Sequence, residues 1–189
     1  RVSATLSINY PFGSGYVIPG TGILLNDEMD DFSAKPGSPN GYGLVGAEAN
    51  AIAPGKRPLS SMSPTFLEHE DRLVILGTPG GSRIITMVLL GALEAMRGGT
   101  AEQVASLRRL HHQYLPDRVV FEGGAISGSV ADELTLLGHE LQQKESPYGN
   151  MQVVIWDKEI GQVDAASDPR GAGSAAVLPR LSVARAAAN

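Results

Sequence analysis

The chain has 189 residues and a net charge of −5, with 42% hydrophobic but only 5% aromatic residues, so one domain's core must rest on aliphatic side chains. Its basic residues are scattered with no Lys/Arg stripe, which argues against a nucleic-acid partner. The lack of cysteine removes disulfides, thiolate catalysis and Cys-based zinc sites. The longest apolar run, residues 84–95, is too short to span a bilayer.

Residues 2–8 alternate Val2, Ala4, Leu6 and Ile8 with small polar side chains, the period of a strand. The segment 9–15, with Pro11, Gly13 and Gly15, breaks it, and a second apolar run over 22–25 ends at Asn26. Residues 33–58 are rich in Gly, Pro, Ala and Asn and read as a long loop, which in a compact domain is functional or disordered. Residues 73–76 predict a short buried strand feeding the turn 77–83. The run 84–96 predicts a helix, apolar nearly all round and therefore sandwiched between layers. Gly98 and Gly99 stop it, and Thr100 with Gln103 forms a capping box that opens a second helix to about Leu110. A short strand is expected over 119–121. An amphipathic helix is expected over 129–143, with Val130, Leu134, Leu137 and Leu141 on one stripe. Residues 151–156 and 161–166 read as a strand and its hairpin partner. This order predicts α+β layers, with a body over 1–171 and a frayed tail over 172–189.

Three segments could carry chemistry. Asp27, Glu28, Asp30 and Asp31 place four acids in five positions, and a turn could aim Glu28 and Asp31 the same way. Such a pair suits a substrate ammonium. It would also suit Ca²⁺, although the spaced calcium-loop pattern is missing, or it is a solvated acidic turn capping a helix. Ser60 and Ser61, stiffened by Pro58 and Pro64, can donate to a carboxylate, or form an ordinary Ser/Pro loop. The turn from Gly77 to Arg83 precedes a helix and could present the Gly80 and Gly81 N–H groups to an oxyanion, or be only a tight connection. It matches neither a P-loop nor a dinucleotide fingerprint. His111 and His112 are adjacent and would face opposite sides of a strand, as structural residues. His69 and His139 read as surface residues, and Trp156 as core or site lining.

Taken in order, these segments resemble the small subunit of gamma-glutamyltranspeptidase. The matching stretches are residues 22–33, 36–37, 42–46, 50–51, 56–65, 79–85, 111–113 and 167–170, of which Arg57 to Thr65 followed by Pro79 to Ile85 is the most specific. The resemblance implies an N-terminal-nucleophile hydrolase with an αββα four-layer sandwich, completed by a large subunit cut from the same precursor as an obligate heterodimer. It implies a gamma-glutamyl-Thr ester that is resolved by water or by an amino acid or peptide acceptor, with no cofactor and no metal. Under it, Glu28 and Asp31 bind the substrate alpha-ammonium with Asn9 nearby. Ser60 and Ser61 bind the alpha-carboxylate, Gly80 and Gly81 form the oxyanion hole, Tyr42 belongs to the lid, and Ser7 supports the nucleophile. The Thr nucleophile itself is expected roughly a dozen residues before Arg1. A periplasmic or secreted location is implied by the resemblance alone. Two other readings remain: a cephalosporin or glutaryl acylase of the same architecture, and a non-catalytic module that binds glutamate or glutathione.

Overall fold

The computed structural model describes residues 2–4, 8–10 and 12–179. The strand expected over 2–8 falls partly outside them, and the described residues 2–4 and Ile8 carry no strand. Up to Pro64 the described residues are loop, punctuated by 3-10 turns at Glu28–Asp31 and Glu48–Asn50. The apolar run over 22–25 contributes one isolated bridge, Leu24 to Val17. Regular structure then follows as β1 (Thr65–Glu68), β2 (Arg72–Gly77), α1 (Ile84–Met96), α2 (Ala101–Ser106), β3 (Leu110–Gln113), β4 (Arg118–Phe121), α3 (Gly128–Leu136), β5 (Leu141–Gln143), β6 (Gln152–Asp157) and β7 (Val163–Ser167).

Strands β1-β2-β6-β7 form an antiparallel sheet in that order. Its register sets Val74 opposite Ile155 and Leu76 opposite Val153, so these four branched side chains share one face. Helices α1 and α2 cover that face, where Met87, Val88, Ala101, Val104 and Met151 complete the core. Each large aliphatic side chain buried there contributes about 1.5–3 kcal/mol. The opposite face carries Phe66, Ile75, Val154 and Val163; Phe66 is 46% exposed and Val163 43%. The result is one helical layer on one face of one sheet layer. A second sheet, β3-β4-β5, pairs β4 antiparallel to β3 and parallel to β5.

Several expectations agree closely. Helix α1 begins and ends where the sequence placed it, and β6 and β7 form the expected hairpin. The capping box closes as read: Thr100 Oγ1 accepts from the Gln103 N–H at 3.2 Å, and Gln103 Oε1 accepts from the Thr100 N–H at 2.8 Å.

Other expectations are corrected. Helix α1 is not sandwiched among the described residues, because Ile85, Leu89, Leu93 and Met96 form an exposed stripe. Helix α2 stops at Ser106 rather than near Leu110. Its last carbonyls are taken by guanidinium groups, Ala105 O by the nearby Arg109 at 3.2 Å and Leu107 O by the distant Arg170 at 3.1 Å. Helix α3 stops at Leu136, where Gly138 adopts φ +92° and its N–H donates to Thr135 O. Leu141 therefore lies on β5 instead of extending the helical stripe, and Leu136 and Leu137 are exposed. Residues 172–179 form no helix or strand, and the tail from 180 onward lies outside the described residues.

Candidate functional site

The sheet brings two of the three sequence segments to one end. In the β1–β2 pair, Thr65 lies opposite Leu76. Ser60 and Ser61 therefore lead into β1 at the end where β2 runs out toward Gly80 and Gly81. Ser60 is exposed and Ser61 half-buried. The Ser60 hydroxyl oxygen accepts from the Met62 N–H at 3.2 Å, and Ser63 Oγ donates to Ser61 O at 3.0 Å. These local turns fix the backbone while leaving the Ser60 proton free to donate.

Gly80 and Gly81 occupy the turn before α1. Gly80 sits at φ +149° and Gly81 at φ +59°, both unfavourable for a residue with a Cβ. A Cβ on Gly80 would lie 2.5 Å from Met87 Cε, and one on Gly81 would lie 2.6 Å from the Tyr42 ring. Among the described residues no acceptor is found for either N–H. The turn thus presents unused donors at a helix N-terminus, with an aromatic ring seated on it.

The acidic segment forms the 3-10 turn Glu28–Asp31, whose first N–H is held by Asn26 Oδ1 at 3.1 Å. Asn9 Nδ2 donates to Asp31 Oδ1 at 2.8 Å. Burial first, then the charge of Asp31, its hydrogen bond and the charge of Asp27 raise the Glu28 carboxyl above its usual range. Asp27 Oδ1 is buried without a hydrogen-bond partner among the described residues. No group of three or more acidic or histidine side chains is placed to hold a metal ion among those residues. The turn concentrates negative charge, with Glu28 and Asp31 side by side.

Three residues that the sequence reading left without a role join these segments. Asn50 Nδ2 donates to Asp31 O at 2.7 Å while its Oδ1 accepts from the Leu59 N–H at 3.0 Å, coupling the acidic turn to the residue before Ser60. Tyr10, with a left-handed φ of +58°, stacks on Tyr42 with ring centres 5.4 Å apart. Gln113 joins the Tyr42 loop to the turn at Gly81. Its Nε2 donates to Tyr42 O at 2.7 Å and Leu115 O at 2.5 Å, and its Oε1 accepts from Ser82 Oγ at 2.9 Å. Asn50 and Gln113 stand within matching stretches, but their amides act on backbone groups far away in sequence, which no local pattern announces.

Tyr42 sits between the acids and the glycine turn. Burial, then Tyr10, then Asp31 and Asp27 push its phenol above the usual range. The structure therefore brings Asn9, Glu28, Asp31, Tyr42 and Gly81 into one neighbourhood, with Ser60 and Ser61 tied in through Asn50 and Gly80 beside Gly81. Ser7 lies outside the described residues.

The histidines divide as their strand positions require. His111 is buried, with Nδ1 2.9 Å from Thr86 Oγ1 and Nε2 2.9 Å from Gln113 Oε1. Burial lowers its pKa, outweighing the Gln113 hydrogen bond, and Arg83 and His112 add to the lowering. A neutral ring with its proton on Nε2 satisfies both contacts. His112 faces the other way, toward Asp117 at 2.8 Å. His69 and His139 are exposed. Trp156, half-buried, lies opposite Leu73 and Val163 on the sheet face turned away from α1, outside the core cluster under that helix.

The sequence reading also missed a buried charge network. Arg109 and Asp168 are ion-paired and almost fully buried, and Arg170 bridges Asp168 Oδ1 at 3.0 Å and Glu122 Oε2 at 2.6 Å. Asp168 Oδ2 also accepts from the Met151 N–H at 2.8 Å. Burial alone would push Asp168 up. Hydrogen bonds from Arg109, from the Arg170 and Met151 backbone and from the Arg170 side chain outweigh it and hold the carboxyl below its usual range.

Comparison with known proteins bears directly on this arrangement. The family model for gamma-glutamyltranspeptidase matches residues 1–178. A glutathione hydrolase proenzyme from Pseudomonas aeruginosa is 44% identical over 94% of this chain, and one from Escherichia coli is 44% identical over 89%. The chain spans about a third of the length of these relatives, 32% and 29% respectively. Among solved structures, a gamma-glutamyltranspeptidase from Pseudomonas nitroreducens complexed with L-DON superposes with a TM-score of 0.84 at 43% identity, covering 94% of this chain and 93% of that one. A cephalosporin acylase from Bacillus halodurans superposes at 0.68 with 25% identity, covering 84% of this chain and 28% of that one.

Proposed function

The chain belongs to the gamma-glutamyltranspeptidase family, an Ntn-hydrolase fold, and on that premise we propose that its protein cleaves gamma-glutamyl amides. The observation that carries the reading is the bonded path from Asn9 to Asp31, through Asn50 to the Ser60–Ser61 loop, with Tyr42 seated between Asp31 and Gly81. A gamma-glutamyl group carries an alpha-ammonium and an alpha-carboxylate on one carbon. Glu28 and Asp31 take the ammonium, with Asn9 fixing the Asp31 carboxylate. Ser60 and Ser61 donate to the carboxylate, a neutral recognition that avoids placing a cation beside the ammonium.

Grip at the alpha carbon leaves the gamma-carbonyl to be presented to Gly80 and Gly81. The nucleophile is an N-terminal Thr hydroxyl supplied upstream of Arg1, its proton taken by its own amine. As the oxygen bonds to the gamma-carbon, the carbonyl oxygen gains charge and the Gly80 and Gly81 N–H groups stabilise it. The C–N bond then breaks, the leaving amine takes the proton, and a gamma-glutamyl ester remains. Water releases glutamate from it; an amino acid or peptide amine takes the glutamyl group instead. Ser7 supports the nucleophile, and Tyr42 is the lid aromatic held over the site. A large subunit from the same precursor completes the sandwich against the sheet face that bears Phe66, Ile75 and Val154. No helix among the described residues is long and apolar enough to cross a membrane, and a periplasmic or secreted location is part of this reading.

The test is turnover of matched amides by the complete protein. A gamma-glutamyl amide should be cleaved far faster than the glutaryl amide, which differs only in lacking the alpha-ammonium. Preference for the glutaryl compound would sink the reading, and so would a catalytic chain whose intact mass shows no N-terminal Thr.

A further inference from the structure

A groove leads away from the Tyr42–Gly81 contact, on the side opposite the acidic turn. Its first part, about 310 Å³, is lined by Tyr42, Ser82, Arg83, Gln113 and Arg118 among others. Arg83, Pro116, Arg118 and Val120 are shared with a second space of about 570 Å³ that continues to Lys144 and Glu145. The two form one channel floored by β4 and walled by the turn before α1 and the segment after β5.

The charge in this channel is the reverse of that in the acidic turn. Arg83, Arg118 and Lys144 line it, with Glu145 the acidic residue among its walls. The Arg83 guanidinium lies over the Tyr148 ring, 5.2 Å from its centre, and meets no carboxylate among the described residues. Arg118 Nη1 donates to Gln142 Oε1 at 3.2 Å and lies 4.0 Å from Glu140, while its Nε is buried with no hydrogen-bond partner. Lys144 meets no carboxylate among the described residues either. Three cations, two of them without a carboxylate partner among the described residues, therefore share a groove in a chain whose net charge is −5. Guanidinium groups offer paired donors at carboxylate spacing.

We propose that this groove is a carboxylate subsite for the part of the substrate beyond the scissile amide, so that Arg118, Arg83 and Lys144 select peptides with a free C-terminal carboxylate as leaving groups. The inference rests on the gamma-glutamyl reading, which fixes the scissile carbonyl at Gly80 and Gly81. A dipeptide leaving group extends about 7 Å from that point, into the groove that opens beside Ser82. The same groove receives the carboxylate of an acceptor peptide, because transfer is the reverse of the first step with a different amine. An acidic turn for the ammonium and a basic groove for the far carboxylate together orient a zwitterionic peptide in one direction.

The experiment compares glutathione with its C-terminal amide, two substrates that differ only in the distal carboxylate, on the complete protein. The free acid should have the higher kcat/KM, by about 10-fold if one charge-assisted pair is lost. Arg118→Gln and, separately, Lys144→Gln should each lower that ratio, mainly through KM. Lys144 lies at the outer end of the groove, so its variant keeps the test alive if Arg118→Gln fails to assemble. Turnover of both substrates at equal rates, or a ratio unchanged in the variants, overturns the inference alone. No turnover of either substrate overturns the gamma-glutamyl reading and the inference with it.

Discussion

Glu122 and Asp168 lie between two guanidinium groups, whereas Glu28 and Asp31 lie beside each other with no cationic side chain bonded to them among the described residues. In the first region every charge meets its opposite and the backbone supplies further donors, so the Asp168 carboxyl is held below its usual range although buried. In the second, a carboxamide and a tyrosine are the neighbours, and the Glu28 carboxyl is pushed up by burial and then by the charge of Asp31. The same residue type is used once to close the structure and once to leave a charge open. A self-neutralised cluster holds elements together and has nothing left for a ligand, while an unneutralised pair is costly until a cation arrives.

The sharpest way to break this comparison is to remove one charge from the closed cluster. Asp168→Asn strands Arg109 and weakens Arg170, and should cost about 3–5 kcal/mol of stability, read as a lower denaturant midpoint of the complete protein. An unchanged midpoint would mean that the network is not structural. Acid should reveal the same cluster: because Asp168 is held below its usual range, its stabilisation is present above the unfolded-state value and disappears as pH falls through the lower folded value.

The open pair predicts the opposite pattern. Asp31→Asn should leave folding nearly intact but reduce kcat/KM on a gamma-glutamyl amide by about 2–5 kcal/mol, the cost of an unpaired desolvated ammonium. Normal kcat/KM would remove Asp31 from substrate binding. Gln113→Ala should have a smaller effect, about 1–2 kcal/mol in kcat/KM, because two hydrogen bonds between the lid loop and the turn at Gly81 are lost while no charge is stranded. Steady-state kinetics with a thermal midpoint alongside separates that loss from instability. The smallest effect is on pH dependence. Protonated Glu28 no longer attracts an ammonium, so KM should rise as pH falls through its raised pKa. Glu28→Gln should flatten that acid limb, and a limb unaltered by the variant would assign it to another group. The same raised value means that Glu28 favours folding most below its unfolded-state pKa and loses that contribution as pH rises through the folded one.

The contrast also explains what could be read from sequence. Glu28 and Asp31 stand three apart in one short turn, Ser60 and Ser61 are adjacent, and Gly80 and Gly81 precede a strongly apolar run, so local pattern and resemblance found them. Arg109, Glu122 and the Asp168–Arg170 pair lie in three separate connecting segments, and no local pattern announces that they meet. That same blindness misplaced the end of α2: residues 107–110 keep a helical apolar spacing, but Arg109 and Arg170 capture the carbonyls that would have continued it. The early stop of α3 was legible, since Gly138 is a terminator in plain view, yet the recurrence of Leu134, Leu137 and Leu141 outweighed it. Strand β1 was missed because its four residues follow a Ser/Pro loop and gain their order from β2 alone.

Gln113 holds the loop over residues 33–58 by the main-chain oxygen of Tyr42 and leaves the ring out of the bond. The latch is therefore indifferent to which side chain stands at position 42. Evolution can exchange the ring there and alter what the site admits, while the hinge point of the loop stays anchored. Access and anchorage can drift independently, so the ring at this position can change without rebuilding the glycine turn.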